Sequence, residues 1–343
     1  MVVATRLPVA LISFREYDSD VLMISAEFDD FDAFATTVGE VDGVMLLQNP
    51  TRRSWSLSAA DLSGVHIQLG RLGSGNIFEG QSWAHGTVFY LPLTDTCTYL
   101  GWGTPIEKDA VMIAAPSTEF LISTAFEHDW CSIFVPTVDF ASGSDQDEPS
   151  LTSEGVTSRI TRPNRQTADR FRTSVSELMA IAAKYPQFES SLASITAAAG
   201  LRQLTNEILG QPQAGEPQRT GRPKVSRREI IRRSSELFEE QSAKLLSVGE
   251  LAAAAKVSER TLQTAFKECY GVGPTQYLRL RNLHRVERAL RAADPEETTV
   301  AEVLFQHGEW QFGRFAARYR RLFGELPSET LQARRPIVQV PSD

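Results

Sequence analysis

The sequence predicts an α+β multidomain fold in which a β-rich front half precedes a helical back half. Three observations lead to this prediction. The chain has 343 residues, more than a single hydrophobic core usually serves, and its apolar pattern changes from short runs to a helical period after residue 155. A segment rich in Pro and Gly then interrupts the helices. We expect a β-rich domain at 1–140, a helical pair at 156–210, a flexible linker at 211–224 and an all-α domain at 225–335.

The short apolar runs of the front half recur at regular intervals and are separated by Gly, Pro, Asn and Ser. This spacing is typical of a sandwich or a small barrel. Aromatic residues are dense here, and the interior of such a fold can hold a small ligand. The candidate ligand-binding residues are Trp83, His85, Trp55 and Trp102. The alternative is that these side chains only build the core.

Motifs for catalysis are missing from the front half. His66, His85 and His128 are isolated, with neither HxH nor HxxxH spacing. The sequence also lacks a Gly-x-Ser-x-Gly elbow, a Walker loop, and a Gly-x-Gly-x-x-Gly that follows a strand. We therefore predict no enzymatic activity, no metal and no cofactor. The acidic residues of 27–32, together with Glu40, are expected to form a solvated face rather than a cation site.

Two features bear on the compartment. The three cysteines, Cys97, Cys131 and Cys269, are scattered, which fits a reducing cytosol and argues against a disulfide framework. No apolar run approaches the roughly 20 residues of a membrane span, and residues 1–20 lack the pattern of a signal peptide. We expect a cytoplasmic protein.

Residues 156–210 contain two helical runs, each with one apolar stripe. The stripe of the first run is formed by residues at i, i+4, i+7 and i+10: Phe171, Val175, Leu178 and Ile181. The second run, 188–209, ends at Gly210. Two such helices predict an antiparallel pair, which either caps the β-rich domain or mediates dimerisation.

Charge is distributed unevenly along the chain, although the net charge is only −8. Residues 1–145 carry 6 Lys and Arg against 19 Asp and Glu, whereas residues 218–335 carry 22 against 15. An acidic front joined to an Arg-rich back predicts that the back half meets a polyanion and the front half does not.

The first part of the back half predicts two helices joined by a tight turn. A helix over 248–254 would bury Val248 and Leu251. The turn lies at Lys256, and Ser258 is a suitable N-cap for the second helix. The apolar side of that helix is formed by Leu262, Ala265, Phe266 and Cys269. Its opposite side carries a polar, basic row: Arg260, Gln263, Thr264 and Lys267. This arrangement is typical of a helix-turn-helix unit.

The pattern recurs further along the chain. A short helix over 299–306, a turn at Gly308 and a helix over about 310–322 form the second unit. The apolar face of the last helix is predicted to contain Phe312, Phe315, Tyr319 and Leu322. Its other face contains Gln311, Arg314, Arg318 and Arg321. A long helix over 274–292 joins the two units, which could then enter successive major grooves of DNA.

The residues that define the two units match a known pattern in order and spacing. In the first unit they are Leu251, Ala252, Val257, Ser258, Glu259, Arg260, Thr261, Leu262, Phe266, Lys267, Gly271, Val272, Gly273, Pro274 and Tyr277. In the second they are Thr298, Thr299, Val300, Ala301, Glu302, Gly308, Gly313, Arg314, Phe315, Tyr319, Leu322, Phe323, Gly324 and Pro327. With these residues, the segment 225–335 resembles the DNA-binding domain of the AraC/XylS family of bacterial transcription regulators.

The resemblance implies a seven-helix domain with two recognition helices, commonly joined to an N-terminal cupin-like β-barrel that binds an effector and dimerises. It also implies a homodimer in the bacterial cytoplasm, associated with the nucleoid when bound to DNA. Its partners would be double-stranded DNA with two operator boxes per monomer, a small-molecule effector and RNA polymerase, with activation as the commoner mode.

Carried over residue by residue, the resemblance also implies which side chains contact DNA. The base readers would be Arg260, Gln263 and Thr264 in the first unit and Gln311, Arg314 and Arg318 in the second. Arg pairs with guanine and Gln with adenine. Lys267 would lie near the backbone, where its contribution depends on salt and not on sequence.

Three positions depart from the family pattern. Glu309 stands where Phe is usual, Leu304 where a small residue is usual, and Lys256 where Gly is often found. Glu309 and Leu304 predict a repacked second unit that reads DNA less strictly than the first. Two rival functions stay open: a cupin-type enzyme that carries a DNA-binding tail, and a non-sequence-specific DNA-binding protein.

Overall fold

The structure, a computed structural model, describes residues 23–95, 98–137, 156–185, 187–211, 225–240 and 245–333. They form two compact units, one almost entirely before residue 221 and the other mainly after it. The predicted linker at 211–224, apart from its first residue, lies outside the described residues, and so does Cys97.

The first unit contains two β-sheets. A seven-stranded antiparallel sheet has the order β1-β3-β4-β11-β6-β9-β12, and a five-stranded sheet has the order β2-β5-β10-β7-β8. The strands are β1 Met23–Phe28, β2 Val41–Gln48, β3 Trp55–Leu62, β4 Val65–Leu72, β5 Gly75–Ser82, β6 Gly86–Pro92, β7 Tyr99–Gly101, β8 Thr104–Ile106, β9 Val111–Ala114, β10 Glu119–Thr124, β11 His128–Pro136 and β12 Arg159–Thr161. A short helix, α1 (Phe31–Thr37), follows β1.

The prediction of a β-rich domain is confirmed, but the prediction of a barrel is wrong in one respect. Within the described residues the sheet does not close, because the edge strands of one sheet do not pair with those of the other. The unit is therefore a two-sheet arrangement, which keeps a space between the inner faces of the sheets.

Two helices, α2 (Arg165–Lys184) and α3 (Leu192–Leu209), cover one face of the seven-stranded sheet. Phe171, Val175 and Met179 are almost fully buried in one core with strand residues of that sheet. This packing is the capping arrangement, one of the two roles considered for the pair. The predicted stripe is wrong at Ile181, which is 38% exposed, because Met179 and Ala182 take the sheet-facing positions.

The described part of the second unit consists of seven helices. They are α4 Arg227–Glu240, α5 Val248–Ala254, α6 Glu259–Tyr270, α7 Pro274–Ala292, α8 Val300–Gln306, α9 Phe312–Phe323 and α10 Pro327–Gln332. The joining helix α7 has the predicted bounds. Its Tyr277 packs against Phe266 and Tyr270 of α6, with ring centroids 5.4 and 4.5 Å apart. Buried aromatic pairs of this kind fix helix positions and contribute about 0.5–1.5 kcal/mol beyond the area that they bury.

Candidate nucleic-acid interface and ligand cavity

The first helix-turn-helix unit is fixed by its caps and its turn. Ser247 and Glu250 form a reciprocal capping box at the start of α5, with N–H···O distances of 2.8 and 3.2 Å. Lys256 takes the left-handed conformation that the turn requires, with φ of 55°. Ser258 then caps α6 by accepting a hydrogen bond from the Thr261 amide at 3.2 Å. Val248, predicted to be buried, is only half-buried.

The two faces of α6 separate as the sequence predicts. The apolar face is buried, and Leu262 and Phe266 have no exposed surface. The opposite face is exposed at every predicted contact residue: Arg260, Gln263, Thr264 and Lys267. The Thr264 hydroxyl donates to the Arg260 carbonyl within the helix at 3.0 Å. The structure therefore brings these four side chains together on one surface that a duplex could reach.

The second unit has the same kind of capping box and left-handed turn as the first. Thr299 and Glu302 form a capping box at the start of α8, and Gly308 makes the turn with φ of 68°. The helix α9 begins at Phe312, two residues later than predicted, so that Gln311 is its N-cap residue. Unlike Ser258, Gln311 makes no capping hydrogen bond with its side chain.

The two units repeat with a constant spacing. Helices α6 and α9 each contain 12 residues and end at a left-handed glycine, Gly271 and Gly324. Each is followed by a helix that begins with a proline, Pro274 in the first unit and Pro327 in the second. The two glycines are 53 positions apart in the sequence, and so are the two prolines. The same offset aligns Arg260 with Gly313, Gln263 with Ala316, Thr264 with Ala317 and Lys267 with Arg320. The outward face of α9 is therefore poorer in hydrogen-bonding side chains than that of α6.

The three predicted base readers of the second unit have different surroundings. Gln311 and Arg314 are exposed, and the Arg314 guanidinium donates to Gln311 Oε1 at 3.0 Å. Arg318 is half-buried and forms an ion pair with Glu309 at 3.4 Å. Glu309 also accepts a hydrogen bond from the Asn282 amide at 3.0 Å. Arg318 and Glu309 thus tie the turn to α7, an arrangement that favours a positioning role for Arg318 over the predicted base contact.

The first unit contains a cavity between the inner faces of its two sheets. Its volume is about 50 Å³, enough for a few water molecules. Most of its walls are apolar or aromatic: Val38, Val41, Met45, Phe78, Val88, Tyr90, Met112, Ala114, Phe120, Ile122, Trp130 and Phe134. The remaining lining residues are Gly39, Glu40, Asn76, His128 and Ser132. Among the described residues that line it, none is Lys or Arg.

Glu40 connects the cavity to a network of charged groups. Its carboxylate is almost fully buried and lies 2.8 Å from His66 Nδ1, and the other ring nitrogen lies 3.3 Å from Asp61. Burial lowers the pKa of His66, but the hydrogen bonds to Asp61 and Glu40 outweigh this effect and raise the pKa to about 10. His66 therefore carries a positive charge at neutral pH. The prediction that Glu40 lies on a solvated face is wrong, because Glu40 pairs with His66 inside the fold.

His128, at another wall of the cavity, is kept neutral. Burial lowers its pKa to about 4, although the Ser74 and Phe126 carbonyls lie 3.1 and 3.0 Å from Nδ1. In the neutral ring, Nδ1 donates to these carbonyls and Nε2 faces the Thr124 hydroxyl at 3.3 Å. Sequence reasoning missed both Glu40 and His128 as cavity residues, since the pairing of distant strands brings them together.

The four predicted ligand residues do not surround this cavity. Trp55 is buried and donates its indole N–H to the Ser74 hydroxyl at 3.0 Å, which makes it a core residue. Trp83 is half-buried against Phe134, His85 is exposed, and Trp102 is half-buried. None of the four is among the residues that line the cavity.

Comparison with known proteins identifies the helical unit. Residues 251–333 match the family model described as a helix-turn-helix domain. Over 129 residues the chain is 33% identical to XylDLEGF operon transcriptional activator 1 of Pseudomonas putida, which covers 38% of this chain and 37% of that protein. Over 96 residues it is 38% identical to XylDLEGF operon transcriptional activator 2 of the same species, which covers 28% of this chain and 61% of that protein. Residues 251–333 therefore form an AraC-type helix-turn-helix domain.

The match spans less than two thirds of the length of these relatives. Among solved structures, the chain is similar to the AraC-like transcriptional activator CuxR, with a TM-score of 0.41 and 11% identity, covering 77% of this chain and 94% of CuxR. None of the described helices is both long and apolar enough to cross a membrane. Within the same residues, no group of three or more His, Cys, Asp or Glu side chains is placed to hold a metal ion.

The helix-turn-helix domain has an exposed surface that the sequence does not predict. Phe305, Trp310 and Phe312 are 55%, 69% and 41% exposed, and we call them the aromatic patch. Phe312 was expected on the apolar face of α9 with Phe315. It is instead 41% exposed, because the helix begins at Phe312 and none of the described elements covers this side of its first turn. The N-terminal position of Phe312 is the signal that could have predicted its exposure.

Proposed function

We propose that the protein is a sequence-specific transcription regulator of the AraC/XylS type that places α6 and α9 in successive major grooves. One observation carries the proposal: two helix-turn-helix units repeat with a 53-residue offset and present helices with exposed polar or basic side chains. A rigid connecting helix suits two contacts on one face of a duplex, about 34–36 Å apart. The Arg-rich composition of this half agrees with a polyanionic partner.

The proposed base contacts are divided unequally between the units. In α6, Arg260 suits guanine O6 and N7, Gln263 suits adenine N6 and N7, and Thr264 lies beside them. In α9, Gln311 and Arg314 are the exposed candidates. Lys267 is the backbone contact. Arg318 holds the turn through Glu309 and acts on DNA only through the position of α9.

The first unit is proposed to sense a small-molecule effector in the cavity between its sheets. The apolar and aromatic walls suit an aromatic or aliphatic molecule. Because the present volume of about 50 Å³ holds only a few water molecules, the cavity would have to widen to admit one. The described lining residues include the Glu40 carboxylate and a neutral His128, and none of them is Lys or Arg. A carboxylate effector would lie beside the Glu40 carboxylate, while the nearby charged His66 is already paired with Glu40 and Asp61, so its entry would carry a considerable desolvation cost. This chemistry favours a neutral or cationic effector that donates a hydrogen bond to Glu40.

The similarity to two transcriptional activators of Pseudomonas putida supports activation of transcription. RNA polymerase as a partner and the bacterial cytoplasm as the location are part of the proposal. A homodimer is part of the proposal. Large apolar side chains are exposed where α2 ends and α3 begins, and they provide a candidate contact: Ile181, Tyr185, Leu192 and Ile195. The effector would act by binding one arrangement of the protein more tightly than another.

Selection from a pool of random duplexes, with the full-length protein at about 0.15 M salt, tests the proposal. We expect a motif of two short boxes about one helical turn apart. The R260A and Q263A variants should lose the preference of one box and retain the other. If no motif is enriched and the affinity depends on salt concentration but not on base sequence, sequence-specific regulation is contradicted and the non-specific DNA-binding protein is favoured. An activity found in the first unit would instead revive the enzyme alternative.

A further inference from the structure

The aromatic patch leaves three large apolar side chains in water on a domain whose other aromatic side chains are largely buried. Its geometry is nevertheless ordered. The Phe305 and Trp310 rings meet edge to face, with centroids 4.5 Å apart and an interplanar angle of 77°. This contact joins α8 to the turn before α9 and holds the indole in place although 69% of Trp310 is exposed. An ordered, exposed apolar surface indicates a binding role.

The position of the patch relates it to DNA recognition. Phe312 is the first residue of α9, and Trp310 lies two residues before it. The N-terminal residues of a recognition helix are those that contact base edges in the major groove. At the positions where α6 carries Arg260, Gln263 and Thr264, α9 has only Gly313, Ala316 and Ala317. This helix therefore combines few hydrogen-bonding readers with an exposed aromatic end.

The charges around the patch favour nucleic acid as the occupant. Arg314, Arg320 and Arg321 are exposed on the same helix. Within the major groove, the one apolar group on any base edge is the C5-methyl of thymine, and apolar side chains recognise it by contact. We propose that Trp310 and Phe312 read thymine in the second operator box by packing against C5-methyl groups. This inference rests on the proposed function and adds the base class that the second unit selects.

Replacement of thymine by deoxyuridine tests the inference, because it removes the methyl group and preserves base pairing. Each thymine of the second box in the selected operator is replaced in turn, and the Kd of the full-length protein is measured. For a contacted thymine we expect about a fourfold loss of affinity, the factor that corresponds to about 0.8 kcal/mol for one buried methyl-sized group. At a thymine that Phe312 or Trp310 contacts in the wild-type protein, the F312A or W310A variant that removes the contact should bind the thymine duplex and its deoxyuridine counterpart equally. R314A is the matched control: it should bind both more weakly and keep the ratio between them.

The outcomes separate this inference from the function on which it rests. If the wild-type protein selects a two-box operator and tolerates deoxyuridine at every position of the second box, the methyl contact is refuted and the regulator remains. If no operator is selected, both fail. If F312A and W310A keep the thymine preference and lose only activation with RNA polymerase, the patch contacts protein and the inference is refuted. Unchanged base preferences in the first box show that each variant is folded.

Discussion

The two helix-turn-helix units share a scaffold and differ in the surface that it presents. Both begin with a capping box, Ser247 with Glu250 and Thr299 with Glu302, and both recognition helices end at a left-handed glycine. On α6, the side opposite the core carries polar and basic residues, whereas α9 presents small residues, arginines and an aromatic end. The repeated positions are therefore those on which backbone geometry and packing depend. The outward positions are free of these constraints, and in the proposed function they determine the base sequence that each unit reads.

The largest expected difference lies between buried and exposed aromatic residues. Phe266 and Tyr319 occupy corresponding core positions, and both are fully buried. We expect F266A and Y319A to lower the free energy of unfolding by about 3–5 kcal/mol each, because each leaves a cavity. F312A should change it by less than about 0.5 kcal/mol, since Phe312 is already exposed. Urea denaturation, monitored by the far-UV circular dichroism signal of the helices, measures the change for all three variants. A loss for F312A as large as that for Y319A would mean that Phe312 belongs to the core.

The sequence predicts the scaffold better than the surface. The bounds of α5 and α7, the N-cap Ser258 and the left-handed Lys256 follow from local signals that neighbouring residues contain. The exposure of Phe312 depends on where α9 begins, which an apolar repeat does not define to within two residues.

The cavity was less predictable than the helices. Glu40, Asn76 and His128 meet there only because β2 and β5 are neighbours in one sheet, β11 belongs to the other, and the two sheets face each other. The aromatic residues chosen from the sequence lie in the same unit as the cavity. They did not identify the cavity, because aromatic side chains are as common in the core as in ligand sites.

Base discrimination should differ between the units. R260A should remove the preference for guanine in one box at a cost of about 1–3 kcal/mol in binding free energy. R314A should cost less, because the Arg314 guanidinium already donates to Gln311 within the protein. Binding to operators with single base substitutions measures both effects. R165A is the control, since Arg165 is fully exposed on α2 and should leave Kd unchanged. Equal penalties for R260A and R314A would contradict a less strict second unit.

Contacts with the DNA backbone should, in contrast, be shared equally. Lys267 and Arg320 occupy corresponding positions and are both exposed. We expect K267A and R320A each to weaken binding uniformly across sequences and to reduce the slope of log K against log salt by about 1. Titrations at several salt concentrations test this expectation. If only K267A changes the slope, α9 does not approach the phosphates as α6 does, and the two units are not equivalent in docking.

The smallest effect concerns the two turns, which reach the same left-handed conformation with different residues. Lys256 has φ of 55° and Gly308 has φ of 68°. A left-handed residue other than Gly costs about 1–2 kcal/mol, so K256G should stabilise the domain, by about 1 kcal/mol once the greater entropy of Gly in the unfolded chain is included. G308A should destabilise the domain for two reasons. Alanine is strained in the left-handed conformation, and its Cβ would lie 2.1 Å from Leu245 Cδ1. Urea denaturation measures the change in the free energy of unfolding for both variants. If K256G lowered stability instead, the Lys256 side chain would have to contribute more than the strain it causes, and the turn of the first unit would be held by its side chain and not by its backbone.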